Sequence, residues 1–253
     1  MGQSMIDNGR LLEALTVEGA ALAEVVRGAS ADAPVPTCPG LTIGETARHV
    51  GSVYRMVRAW LIEGHRPAQW DRDPLPGQST VEYFLQGHRD LVEQLTAHDP
   101  GDHASTWWPA DRTYGFWSRR MAHETTIHRI DIQAASGAEV ATVDEDVALD
   151  GVDEALALWF GQKLPMLGLS GTKPGSVGIK TGGHHWIARA GPGETTAWRC
   201  AAREAEQADA VVTAKPMQVY LWLWGRTSPT TVKVSGQHDA AAQLWALLRL
   251  ATR

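Results

Sequence analysis

Glu124 and His128 stand four residues apart in Trp117-Ser-Arg-Arg-Met-Ala-His-Glu-Thr-Thr-Ile-His-Arg-Ile-Asp131, a run that reads as helix. At that spacing two side chains share one helix face. A carboxylate and an imidazole side by side can supply two ligands to a divalent metal, and a third can come from another helix carrying an inward histidine. His49 is the best candidate for it. Two histidines and one glutamate leave a tetrahedral ion with an open position, which separates a catalytic site from a closed structural one. Water in that position becomes a hydrolytic nucleophile, and a thiol becomes a thiolate near neutral pH.

Each of these residues also has an ordinary reading. Glu and His four apart often form nothing more than a surface pair. A lone His49 reads more readily as a hydrogen-bonded core or boundary imidazole. Asp131, three residues past His128, can accept a proton from a ligand imidazole or serve as an exposed carboxylate. Arg120, one turn before Glu124, can bind a substrate carboxylate, orient the glutamate, or form a plain intrahelical ion pair. His123 is rotated about 100° from Glu124 and is no ligand. His184 and His185 fall on a predicted strand and face opposite sides of it. Cys38 and Cys200 have no partner at metal-finger or redox spacing; Cys38 in Pro36-Thr-Cys-Pro-Gly40 could be a reactive loop thiol, but both read more readily as small, partly buried apolar groups.

Four helices must position the first candidates. Leu11, Leu12, Leu15, Leu22, Val25 and Val26 form one apolar stripe. Thr42-Ile-Gly-Glu45 is a capping box opening a second helix to about Ile62, with His49 two turns in. Ser79-Thr-Val-Glu82 opens a third through Leu95, and the fourth carries Glu124 and His128 and ends near Gly137. The connections Glu63 to Gln78 and His98 to Phe116 are long enough to wall a pocket. Trp107, Trp108 and Tyr114 could line its mouth or simply pack the loop down.

Past Asp144 the pattern changes. Val147 to Leu164 reads as helix, and Ser176 to Thr181, Gly182-Gly183 and His184 to Ala190 as a hairpin. Thr195 to Cys200, Asp209 to Thr213 and Thr231 to Val234 add strands, with helices at Met217 to Trp224 and His238 to Leu250. The expected fold class is α+β: a four-helix bundle over 1–140, then a small α+β domain with an antiparallel sheet over 141–253. A chain of 253 residues with net charge -6 and no basic stripe excludes a nucleic-acid partner. No apolar run approaches a membrane span and no export signal opens the sequence, so the expectation is a soluble cytoplasmic protein.

The run Val35-Pro-Thr-Cys-Pro-Gly-Leu-Thr-Ile-Gly-Glu-Thr-Ala-Arg-His49, the segment Trp117 to Asp131 and the later Leu221-Trp-Leu-Trp-Gly-Arg226 together resemble the mycothiol-dependent maleylpyruvate isomerase family. The resemblance covers nearly the whole chain. It implies a DinB-like bundle with a zinc site at His49, Glu124 and His128, and a C-terminal domain similar to sterol carrier proteins. It further implies mycothiol as the thiol cosubstrate, acting on a small enoyl acid such as maleylpyruvate by cis–trans isomerisation, or on another electrophile by thiol transfer. Arg226 would then meet an anionic group, its plain alternative being a solvated arginine at a helix C-terminus. Leu41 departs from the tryptophan many relatives carry after Pro-Gly. The ligand set also suits iron or nickel, and with bound water it would make a hydrolase. A nonenzymatic metal or small-ligand binder is the remaining alternative.

Overall fold

The helix starts read from the sequence are real caps. In the computed structural model, which describes residues 4–252, α1 (Asn8–Gly28) opens at Asp7, whose carboxylate accepts from the Arg10 amide. Both α2 (Ile43–Glu63) and α3 (Thr80–Thr96) open on reciprocal boxes, Thr42 with Glu45 and Ser79 with Glu82. Each box satisfies two amides that a helix start otherwise leaves bare. The fourth helix, α4 (Tyr114–Ser136), opens at Thr113 and stops at Gly137.

These helices make up one compact unit, Asp7–Ala141. Within it α1 lies chiefly along α4 and α2 along α3. Leu11, Leu15, Leu22, Val50, Tyr54, Val57, Phe84 and Leu91 fill the space between them.

α4 is unlike the other three. Its buried residues lie all round it and include Arg119, Arg120, His123, Thr125, Arg129 and Asp131 beside Trp117, Met121 and Ile130. A polar group taken out of water must find a partner or cost several kcal/mol. Arg129 finds three, donating to the Glu18 carboxylate on α1, to Gln133 Oε1 at 2.6 Å and to the Ala141 carbonyl at 2.8 Å. Thr125 Oγ1 pairs with Tyr54 OH at 2.5 Å and with the Met121 carbonyl at 2.7 Å. Polar pairing therefore fixes how α1 and α2 seat on α4.

The other unit comprises, among the described residues, 142–252 with 4–6. α5 (Glu145–Glu154) runs on through a wider π-helical stretch, Ala155–Lys163, into the single turn α6 (Leu164–Met166). Five strands follow: β1 (Gly175–Thr181), β2 (His184–Gly191), β3 (Glu194–Arg199), β4 (Ala210–Thr213) and β5 (Lys233–Gly236), in the order β3-β2-β1-β4-β5. Gly182 and Gly183 close the first hairpin at φ 53° and 77°, values that a two-residue turn of this hand requires. α7 (Ala202–Glu206), α8 (Pro216–Leu223) and α9 (His238–Ala251) complete it. Asp153 ties the helical layer to the sheet, accepting from Trp186 Nε1 at 2.8 Å and from Arg199 Nε at 2.7 Å.

The sheet is mostly antiparallel, as expected, with one parallel pair. β4 pairs with β1 in parallel, because the chain leaves β3 at one edge and crosses through α7 to the far side of β1. At five residues, α7 is too short to show a period. Among the described residues no helix is long and apolar enough to cross a membrane.

The Arg129–Glu18 pair yields a stability prediction. Glu18→Ala leaves a buried guanidinium unmatched and should cost about 3–5 kcal/mol in denaturant unfolding. A loss within the error of the measurement would show that the pair does not anchor α1.

Candidate metal centre

Two helices of the first unit bring three nitrogen and oxygen donors together. Glu124 and His128 stack one turn apart on α4, and His49 comes across from α2. The Glu124 Oε1 atom lies 3.3 Å from His128 Nε2 and 3.6 Å from His49 Nε2. The imidazole rings meet edge to face with centroids 5.4 Å apart. Ligands of a tetrahedral zinc, at roughly 2.0–2.1 Å from the ion, stand about 3.3 Å from one another. Both Glu124–histidine separations are close to that value, and all three donor atoms lie within 4.8 Å of one another. His49 keeps 45% of its side chain exposed, against 17% for Glu124 and 12% for His128, so the group is reached from the His49 side.

The surrounding contacts divide the work on each ligand. Arg120, 4% exposed, donates to Glu124 Oε2 at 2.9 Å and leaves Oε1 to the imidazoles. The ion pair that the sequence offered as one alternative is therefore formed, and it also orients the carboxylate. Asp131, with no exposed side-chain surface, lies 3.1 Å from His128 Nδ1. His123 is wholly buried. Arg226 belongs to the other unit, just past α8, where its Nη1 donates to the Trp224 carbonyl at 2.7 Å.

Cys38 requires a correction. Instead of an isolated apolar thiol, it sits with Sγ 3.3 Å from Asp131 Oδ2 and 3.9 Å from His128 Nδ1. The docking of its loop against α4 is a long-range contact that periodicity does not report. Neither cysteine forms a disulfide among the described residues.

The aromatic connection before α4 packs down. Trp108 and Tyr114 are each 6% exposed, with Trp108 against Phe116 and Tyr114 stacked on His98 at 4.0 Å. Trp117 donates to the Ser105 carbonyl at 2.9 Å and Trp60 to its hydroxyl at 3.1 Å. These residues brace the start of the ligand helix.

Electrostatics follow the contacts. Burial alone would raise the Glu124 carboxyl, but hydrogen bonds from His128 and His49 and the Arg120 charge hold it well below the usual carboxylate range. Burial would likewise lower His128, yet its bonds to Asp131, Cys38 and Glu124 hold it well above the ordinary imidazole value. Without metal the pair is carboxylate and imidazolium.

A helical unit with a His-Glu-His cluster, followed by an α+β unit, defines a two-part class of proteins. Residues 12–133 match the sequence profile of the mycothiol maleylpyruvate isomerase N-terminal domain, and residues 146–243 match that of the C-terminal domain of the same proteins. The chain belongs to the mycothiol-dependent maleylpyruvate isomerase family. A crystal structure of a histidine-to-alanine mutant of the mycothiol-dependent maleylpyruvate isomerase is similar at TM-score 0.62 and 12% identity, over 93% of this chain and 97% of that one. A second crystal structure of that isomerase is similar at TM-score 0.56 and 13% identity, over the same shares. At those identities the likeness establishes the fold. A search of curated protein sequences gives no match.

The pKa shifts predict a pH dependence for the metal-free protein. His128, raised, stabilises fully below its ordinary 6.5 and loses that contribution as pH climbs through the raised value. Glu124, lowered, stabilises fully above its ordinary 4.5 and loses it as pH falls through the lowered value. Thermal midpoints of chelator-treated protein should be highest between those two values and decline on either side. A midpoint that keeps rising above neutrality would contradict the imidazolium–carboxylate pair.

Proposed function

We propose that this protein is a zinc-dependent enzyme that uses mycothiol to isomerise a small cis-enoyl acid of the maleylpyruvate kind. One observation carries the reading: a single carboxylate oxygen of Glu124 faces the Nε2 atoms of His49 and His128 at the spacing of a tetrahedral site, in a chain of this family. His49, Glu124 and His128 would hold the ion, and its chemistry there is to stabilise the conjugate base of a thiol at the open position. A reducing cytoplasm, where such thiols persist, is the compartment that suits it.

The residues around that position have separate tasks. Arg120 keeps Glu124 ionised and turned, so that Oε1 faces the imidazoles. Asp131 accepts from His128 Nδ1 and leaves Nε2 as the donor atom. We assign Arg226 the recognition of an anionic group, a role its planar fork of N–H donors suits. The thiolate sulfur adds to one carbon of the double bond, and the π pair moves to the carbon beside the carbonyl. Rotation about the new single bond and loss of the thiolate give the trans acid. The same machinery would serve thiol transfer if the adduct left before elimination, so the electrophile decides between the two.

Elemental analysis of purified protein should find close to one zinc per chain, lost in His49→Ala and His128→Ala. Mycothiol titrated by calorimetry should bind the wild type and ignore both variants. Arg226→Lys should keep the zinc and weaken the binding of a carboxylate ligand. A wild type that stays metal-free after incubation with zinc, remains folded and ignores the thiol would overturn the reading.

A further inference from the structure

The segment leading into α2 is folded tightly on itself and aims two side chains at α4. Val35 N donates to the Leu41 carbonyl at 2.9 Å, Cys38 N to Val35 at 3.0 Å and Ile43 N to Ala33 at 2.9 Å. Cys38-Pro-Gly-Leu41 closes as a β-turn with a 3.0 Å bond from Leu41 N to the Cys38 carbonyl. Proline stands second and Gly40 third at φ 90°, the type II arrangement. Thr37 and Cys38 are therefore carried by a braced loop.

Both meet the same carboxylate. Thr37 Oγ1 donates to Asp131 Oδ1 at 2.7 Å, and Cys38 Sγ donates to Oδ2 at 3.3 Å. His128 Nδ1 approaches that Oδ2 at 3.1 Å. Cys38, His128 and Asp131 are also close enough together to be considered as a metal set of their own. A neutral imidazole has one lone pair, however, and Nε2 faces Glu124, so an ion on Nδ1 would take His128 away from His49 and Glu124. The 2.7 Å and 3.1 Å separations are hydrogen-bond lengths.

We propose that Thr37 and Cys38 are positioning residues that lock the Asp131 carboxylate, so that it holds the Nδ1 proton of His128 and keeps Nε2 directed at Glu124 and a bound metal. The proposal rests on the His49–Glu124–His128 reading. Without the clamp the carboxylate can rotate, and the imidazole loses the partner that fixes its ring.

The test uses the full chain, ¹⁵N-labelled, in chelator-treated and zinc-loaded forms. NMR reads water exchange of the His128 Nδ1 proton, competition with a chromogenic chelator reads the zinc Kd, and thermal midpoints report folding. Thr37→Val and Cys38→Ala should each speed the exchange and weaken zinc by about tenfold, within the range typical of outer-shell partners. Thr37→Ser and Cys38→Ser, which keep a donor, should restore both. Exchange and affinity unchanged in the Val and Ala variants would overturn the proposal, as would losses that serine does not rescue. Should Thr37→Val fail to fold, Cys38→Ala decides by the same readings. Exchange that responds as expected in a protein with no affinity for zinc would keep the clamp and sink the metal centre.

Discussion

A carboxylate with little water around it organises the first unit. Glu124 is 17% exposed on a helix buried on every side, and its charge persists only where cations and donors meet it. Arg120, one turn earlier, takes one oxygen, and the two imidazoles face the other. One of those imidazoles lies on α2, so seating α2 on α4 and assembling the His49–Glu124–His128 group are the same event. The apolar side chains between the helices supply the driving force for packing. The polar contacts decide its register.

The same logic extends along α4. Apolar residues alone would let a helix of this kind slide or rotate, since burial energy is insensitive to direction. Arg129 held between Glu18, Gln133 and the Ala141 carbonyl, and Thr125 held by Tyr54, tolerate no such freedom. The positions of Glu124 and His128 on α4 are thereby set by partners that never touch them. Satisfied networks of this type rigidify their surroundings beyond the worth of single bonds.

How much of this is legible in the sequence depends on range. Thr42 with Glu45, Ser79 with Glu82 and Gly182-Gly183 act within a few residues, and each marks its structure correctly. The shared face of Glu124 and His128 follows from helix pitch, and the family resemblance adds His49. The approach of Thr37 and Cys38 to Asp131 spans over ninety positions and has no periodic signature. The parallel pairing of β1 with β4 is hidden for a similar reason: the sequence shows strands, while their order depends on where α7 carries the chain. The alternatives left open at Trp108 and Tyr114 are decided by burial, a property of the assembled loop and helix rather than of the tryptophans.

Charge balance narrows what the proposed centre can hold. A divalent ion and the Arg120 guanidinium together carry three positive charges, and the Glu124 and Asp131 carboxylates return two. The remaining positive charge would favour an anionic fourth ligand over a neutral one. A thiol reaches that anionic form by losing one proton of modest pKa, whereas unperturbed water starts far higher. The exposed flank of His49 leaves room for a large thiol to approach, while the buried flank of His128 is given over to Asp131, Thr37 and Cys38. In the proposed centre, entry would lie on the His49 side and positioning on the His128 side, so residues on the entry side could vary with the substrate without disturbing those that orient His128.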